Sequence, residues 1–259
     1  MSHKNVPSSS AGLFPKTSEK AAQGGLFCNE TSQMPYFKTS VQALLAFDES
    51  FGVRPLAGLD EAGRGPLAGP LVVGAVILDP QLIPPVPIRD SKKLDPEKRE
   101  ACFIWIKEHA LAYAVAIKSA HEVDTLNPLC ATMRAMEEAF SKLTVKANCA
   151  LVDGKTLPKL NVKMEAVIKG DALSLSIAAA SILAKVTRDR IMDEEDLKYP
   201  EYGFRENKGY WRESHLEALK IHGPCPIHRL TYRGVLPLGE EKIARKRLQN
   251  GDPDVGGLF

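Results

Sequence analysis

The chain has 259 residues, 44% of them hydrophobic, and its 34 Lys and Arg against 32 Asp and Glu leave a net charge of only +2. This is enough apolar material for one large core or two small ones, and too little net charge to announce nucleic acid by itself. Five cysteines without C-x-x-C spacing argue against a disulfide framework or a zinc site, and no apolar run is long and plain enough to span a bilayer. The reading is a soluble, cytoplasmic monomer.

Residues 1–50 are rich in Ser, Lys, Gly and Gln and bury little, so no fold is assigned to them. Gly-Leu-Phe occurs at Gly12-Leu13-Phe14, Gly25-Leu26-Phe27 and, at the end of the sequence, Gly257-Leu258-Phe259. Gln23-Gly24-Gly25-Leu26-Phe27 is similar to the short peptides by which bacterial proteins hold the replication sliding clamp. Val53 to Leu59 reads as a strand, Gly63-Arg64-Gly65 as a turn, and Leu71 to Leu78 as a second strand completing a hairpin. The proline-rich stretch from Leu82 to Ile88 reads as an extended loop delivering Asp90-Ser91-Lys92-Lys93-Leu94. Asp95 and Pro96 are an N-cap and first-turn pair for a helix to His109, and a strand follows from Ala112 to Ser119.

Asn127-Pro128 opens another helix, with Leu129, Met133, Met136, Phe140 and Leu143 at helical spacing as its core face. A short strand from Asn148 to Val152 ends on Asp153-Gly154, and Gly170-Asp171 leads into a long Ala- and Ser-rich helix from Ala172 to Met192. Beyond Tyr199, aromatics interleave with cations and turn residues, and Arg205 to Arg247 holds ten Lys/Arg against five Asp/Glu. Such a surface suits stacking on sugars and bases together with phosphate contacts. The chain divides into an N-terminal extension (1–50), a core (51–195), a small helical C-terminal portion (196–250) and a tail (251–259).

The chemistry concentrates at Asp60-Glu61, two carboxylates against a Gly-rich turn. Glycines let backbone N–H groups approach an anionic or sugar-bearing ligand, yet carboxylates beside that turn would repel a phosphate. A divalent cation between them removes the conflict, because hard ions take oxygen from Asp, Glu, phosphate and water together.

Leu59-Asp60-Glu61-Ala62-Gly63-Arg64-Gly65, Asp90-Ser91-Lys92-Lys93-Leu94, Val152-Asp153-Gly154, Lys169-Gly170-Asp171 and the run Ser176 to Lys185, in that order, closely resemble ribonuclease HII. The resemblance implies an α/β, ribonuclease H-like mixed sheet flanked by helices, and an endonuclease acting on RNA/DNA hybrids and on duplex DNA with embedded ribonucleotides. It places Asp60, Glu61, Asp153 and Asp171 as catalytic ligands of two Mg²⁺ or Mn²⁺ ions. It gives the ribose 2′-hydroxyl to Gly63, Arg64, Gly65 and Tyr210, and makes Lys92, Lys93, Lys185, Arg188 and Arg229 phosphate contacts. Trp211-Arg212 after Tyr210, and His228-Arg229-Leu230-Thr231-Tyr232, depart from the family's usual wording. The alternatives are a type 3 ribonuclease H, disfavoured by Gly-Arg-Gly and by Asp171 in place of Glu, and a non-catalytic nucleic-acid-binding module, which would not need four carboxylates.

Overall fold

Runs of small and β-branched residues build the centre of the molecule. The computed structural model describes residues 34–85, 87–88, 91 and 94–251, with side chains from residue 41 onward. Among these residues one five-stranded sheet forms, in the order β3-β2-β1-β4-β5. Its strands are β1 (Leu56–Ala62), β2 (Leu71–Ile77), β3 (Ala112–Lys118), β4 (Cys149–Asp153) and β5 (Lys163–Val167). The β1–β2 and β2–β3 pairs are antiparallel, whereas β1–β4 and β4–β5 are parallel. The expected hairpin is present, but β1 starts and ends three residues later than the sequence suggests. Ladder pairing continues through Asp60↔Gly74, Glu61↔Val73 and Ala62↔Val72, so both carboxylates lie on the strand rather than in the turn.

Helices cover both faces of the sheet, which is why β2 is buried at every position. On one face lies α5 (Leu175–Lys198), whose Ala178, Ala179 and Ala180 pack with Val76 and with Phe103 and Ile106 of α2 (Pro96–His109). The contact is backbone-close: a Cβ at Gly58 would overlap the Ser176 main chain, and one at Gly74 would overlap the Ala180 carbonyl. The Ala/Ser composition of α5 and those two strand glycines are thus one feature seen from two sides. On the other face, Leu59, Leu71, Val73 and Ile77 meet α4 (Pro128–Ser141) through Ala131, Ala135, Met136 and Ala139. Each fully buried Leu or Ile in these layers contributes about 1.5–3 kcal/mol.

Two helix starts agree with the sequence reading. Asp95 accepts from the Lys98 amide at 2.8 Å with Pro96 in the first turn, and Asn127 accepts from Leu129 and Cys130. The expected core face of α4 holds at four of its five positions: Met136 is buried, and Met133, Phe140 and Leu143 pack against the same cluster, whereas Leu129, in the first turn, is 46% exposed. A short helix the sequence reading did not assign, α3 (Ala120–Leu126), is closed by a capping box between Ser119 and Glu122.

The expectation of no fold before residue 50 is corrected over its last part. Helix α1 spans Met34–Glu49, and its Val41 and Leu44 join the core under α5. Its buried Asp48 accepts hydrogen bonds from the Ser174 hydroxyl and from the amide and hydroxyl of Ser176, at the N-terminal end of α5. A carboxylate there satisfies orphan N–H groups and complements the helix dipole.

The C-terminal region carries α6 (Phe204–Asn207), α7 (Glu213–His222) and α8 (Glu240–Gln249). Its core joins Tyr202, Phe204, Leu219 and Leu236 to Leu67 and Ala68 of the β1–β2 connection and to Met192 of α5. Residues around the Gly-rich turn therefore belong physically to the C-terminal cluster. No helix of the described residues is long and apolar enough to cross a membrane.

Candidate active site

Asp60, Glu61 and Asp153 lie near one another at the C-terminal edge of the parallel strands, where open α/β sheets bind ligands. Leu59 pairs with Val152, so Asp60 and Asp153 follow directly after the last pair of the parallel ladder between β1 and β4. Asp153 Oδ1 accepts from the Gly170 amide at 2.6 Å. A Cβ at Gly170 would press on the Ile177 side chain and approach that same Asp153 oxygen, so glycine is required for this contact. Gly170–Ala172 is a 3₁₀ turn that this contact fastens to the end of β4, and Asp171 within it is buried.

Electrostatics agree with this convergence. Burial, then the negative charges of Glu61 and Asp153, push the Asp60 carboxyl well above the ordinary carboxylate range, and the Ser181 hydroxyl only partly offsets this. Like charges held together in a dry site behave this way. Glu61 also pairs with the Arg64 guanidinium at 3.1 Å. Asp60, Glu61, Asp153 and Asp171 offer hard oxygen donors alone, which suits Mg²⁺ or Mn²⁺ rather than a softer metal. Among the described residues, no three His, Cys, Asp or Glu side chains stand together as a group that could hold a metal ion.

The Gly-rich turn is held from behind by two buried guanidinium groups. Arg229 donates to the carbonyls of Gly63 at 2.5 Å, Arg64 at 3.0 Å and Gly69 at 2.9 Å, and the Tyr232 hydroxyl donates to the Arg64 carbonyl at 2.7 Å. Trans peptides point each N–H opposite to the preceding C=O. With both carbonyls drawn to one guanidinium, the amides of Arg64 and Gly65 face away from it together, on the exposed side of the turn. Consecutive amides aimed one way make a concavity for an oxygen-rich ligand. Gly63, at φ +90°, lies against Arg188, and no other residue type fits there.

Arg188 ties this turn to Tyr210. It donates to the carbonyls of Pro70, Ala68 and Lys208, and its guanidinium carbon lies 5.7 Å from the centre of the Tyr210 ring. Leu67 N–H donates to the Gly209 carbonyl at 2.8 Å, joining the same two segments. Tyr210 itself is 44% exposed beside the turn.

Two expected phosphate contacts are thereby corrected. Arg188 and Arg229 are 1% and 0% exposed, with their donors spent on carbonyls. Burial pulls the Arg188 pKa down to about 10 and lowers that of Arg229. Neither group is placed to meet a phosphate; they brace the loops that can. Lys185 is half-buried and donates to Asp189 at 2.6 Å, so its charge is already committed. Lys92, Lys93 and Asp90 lie outside the described residues, as do all three Gly-Leu-Phe segments. Ser91 is described: its hydroxyl meets that of Ser181 at 2.9 Å, which links the loop bearing the two lysines to the Asp60 neighbourhood. Asp124, missed in the sequence reading, accepts from the amides of Leu230 and Thr231 and from the Thr231 hydroxyl, fixing the segment that carries Arg229.

A family model described as ribonuclease HII matches residues 57–235, a span that contains every one of these site residues. The chain belongs to the ribonuclease HII family. The ribonuclease HII of Ruminiclostridium cellulolyticum is 51% identical over 195 residues, covering 74% of this chain and 76% of the relative. The crystal structure of the ribonuclease H2 of Pyrococcus horikoshii is similar with a TM-score of 0.60 at 28% identity, covering 77% of this chain and 99% of that one. The ribonuclease HII of Archaeoglobus fulgidus, in a complex with PCNA, gives a TM-score of 0.53 at 28% identity, covering 64% and 87%. Membership in the ribonuclease HII family makes the chain a nuclease, a hydrolase of ribonuclease H type, on a ribonuclease H-like mixed sheet.

Proposed function

We propose that this protein cuts the RNA strand of RNA/DNA hybrids and cleaves on the 5′ side of ribonucleotides embedded in duplex DNA, leaving 5′-phosphate and 3′-hydroxyl ends. Its place would be the removal of misincorporated ribonucleotides and RNA primers. The observation that carries this reading is the junction of two devices, a carboxylate edge and, just past the end of β1, a braced amide turn joined to Tyr210 through Arg188. The first suits phosphodiester hydrolysis, and the second suits a ribose hydroxyl, the group that distinguishes RNA from DNA.

In this reading Asp60, Glu61, Asp153 and Asp171 hold two Mg²⁺ or Mn²⁺ ions. When bound, such ions supply Lewis-acid activation of water and of the scissile phosphate. The chain's own residues do the rest. Burial and the charges of Glu61 and Asp153 disfavour the ionised form of Asp60, and a bound cation would offset that penalty. Gly170 orients Asp153, the outward amides of Arg64 and Gly65 receive the 2′-oxygen, and Tyr210 bounds the sugar.

Tyr210→Phe tests the ribose-reading half. It should lower cleavage at a single embedded ribonucleotide about three- to tenfold more than within a longer RNA tract, the loss of one hydrogen bond at the junction. Equal losses on the two substrates would remove Tyr210 from junction reading. The Gly-Leu-Phe segments support a sliding clamp as partner, since a Leu-Phe pair can dock in an apolar groove, and a relative from Archaeoglobus fulgidus is known in complex with PCNA. Removing residues 252–259 or 1–33 should weaken binding to a purified clamp, and unchanged affinity in both truncations would eliminate that partner.

A further inference from the structure

Behind Tyr210 two histidines, 0% and 3% exposed, meet ring to ring: His215 Nε2 and His228 Nε2 are 2.9 Å apart. Such a contact needs one proton between the two nitrogens, so one ring donates and the other accepts. The direction follows from the outer partners. The Cys225 amide, which can only donate, lies 2.9 Å from His228 Nδ1. That nitrogen must therefore be bare, and the neutral ring carries its proton on Nε2. The opposite tautomer would set N–H against N–H there, with only the Cys225 carbonyl at 3.3 Å in exchange.

His228 then donates to His215 Nε2, which leaves the His215 proton on Nδ1. That atom lies 3.0 Å from the Tyr210 carbonyl, which can only accept. The chain closes with every ring nitrogen satisfied: Cys225 N–H to His228, His228 to His215, His215 to Tyr210. Burial is in accord, pushing the His228 pKa down to about 3 and lowering that of His215, so both rings stay neutral. The next residue along the chain is Arg229, whose guanidinium fixes the Gly63 and Arg64 carbonyls. Both halves of the ribose reader are therefore fastened to consecutive residues.

We infer that His215 and His228 are positioning residues, a one-directional hydrogen-bond chain that fixes the Tyr210 backbone relative to the Gly63–Gly65 turn and so sets discrimination in favour of a single ribonucleotide. This inference rests on the reading of Tyr210 as part of the ribose site. Its structural half stands apart from that reading.

The two halves are separated by one experiment on the full chain. In the ¹⁵N spectrum of histidine-labelled protein, His228 should show the Nε2–H tautomer and His215 the Nδ1–H tautomer. The reverse assignment for either ring overturns the inference, whatever the enzyme cleaves. In parallel, His215→Asn keeps an amide N–H at the Nδ1 position, toward Tyr210, while His215→Gln keeps a polar group at the Nε2 position, toward His228. The ratio of kcat/KM for a one-ribonucleotide duplex over an all-RNA hybrid should fall about three- to tenfold in His215→Gln and stay within about twofold of wild type in His215→Asn. Equal falls in both variants, or none in either, contradict the positioning role. If the wild-type protein cleaves neither duplex, the proposed function fails, and the tautomers still decide the hydrogen-bond chain.

Discussion

Asp60→Asn is expected to lower the cleavage rate of an RNA/DNA hybrid by about 10³-fold or more, since a metal-assisted step draws several kcal/mol from its ligands. Duplex affinity should survive, because the surfaces assigned to sugar and phosphate are elsewhere. The same change should raise the melting temperature measured in chelator. Burial and then repulsion from Glu61 and Asp153 hold the folded-state pKa of Asp60 above its unfolded value. The raised pKa thus costs the folded state free energy at neutral pH, a cost that shrinks as pH falls below the folded-state pKa and is gone below the unfolded one. An amide removes the cost at all pH values. Each kcal/mol so relieved corresponds to roughly 2–4 °C for a domain of this size. A variant that is slower and more stable marks a residue kept for chemistry at the expense of folding. Full activity, or a melting temperature that drops, would contradict the role given to Asp60.

Arg229→Met should be the most damaging change outside the carboxylates. It preserves much of the side-chain volume and removes the donors that satisfy the Gly63 and Gly69 carbonyls, while the Arg64 carbonyl keeps only the Tyr232 hydroxyl. Each buried carbonyl left without a donor costs about 1–3 kcal/mol, so a stability loss of several kcal/mol is expected. Arg229→Lys should rescue little, because one ammonium cannot span three carbonyls in the fork geometry of a guanidinium. The distinguishing readout is local: hydrogen exchange at Arg64 and Gly65 should accelerate more than at β2, and selectivity for ribose should fall along with rate. If binding merely acquires a shallower salt dependence while stability is unchanged, Arg229 is a phosphate contact after all.

Much of the site was legible because its signals are local. Asp153 ends a short apolar strand and Asp95-Pro96 cap α2 as their residue types demand, whereas Asp171 lies in a 3₁₀ turn and α5 starts only at Leu175, three residues later than its sequence suggests. The buried arginines were misread for a reason of principle. Arg229 looks like one cation in a basic region, and what removes it from solvent is a set of carbonyls about 160 residues earlier in the chain. No periodicity records such a partner. Helix α1 was missed similarly, since its anchor is Asp48 meeting Ser174 and Ser176, over 120 residues away. Leu129 differs on another count: it stands in the first turn of α4, outside the cluster that Met133, Met136, Phe140 and Leu143 join as their spacing predicts. Only α3 left an unread local signal, the Ser119-x-x-Glu122 capping box.

The most direct measurement is to incubate the purified full chain with matched duplexes carrying no ribonucleotide, one ribonucleotide, or an all-RNA strand, in Mg²⁺, Mn²⁺ or chelator, and to map the cut ends. The expected result is metal-dependent cleavage of the second and third, with the single-ribonucleotide duplex cut on the 5′ side of the ribose to leave 3′-hydroxyl and 5′-phosphate termini. Cutting of the all-DNA duplex at a comparable rate, or cleavage that persists in chelator, would contradict the joining of a carboxylate metal edge to a ribose-reading turn.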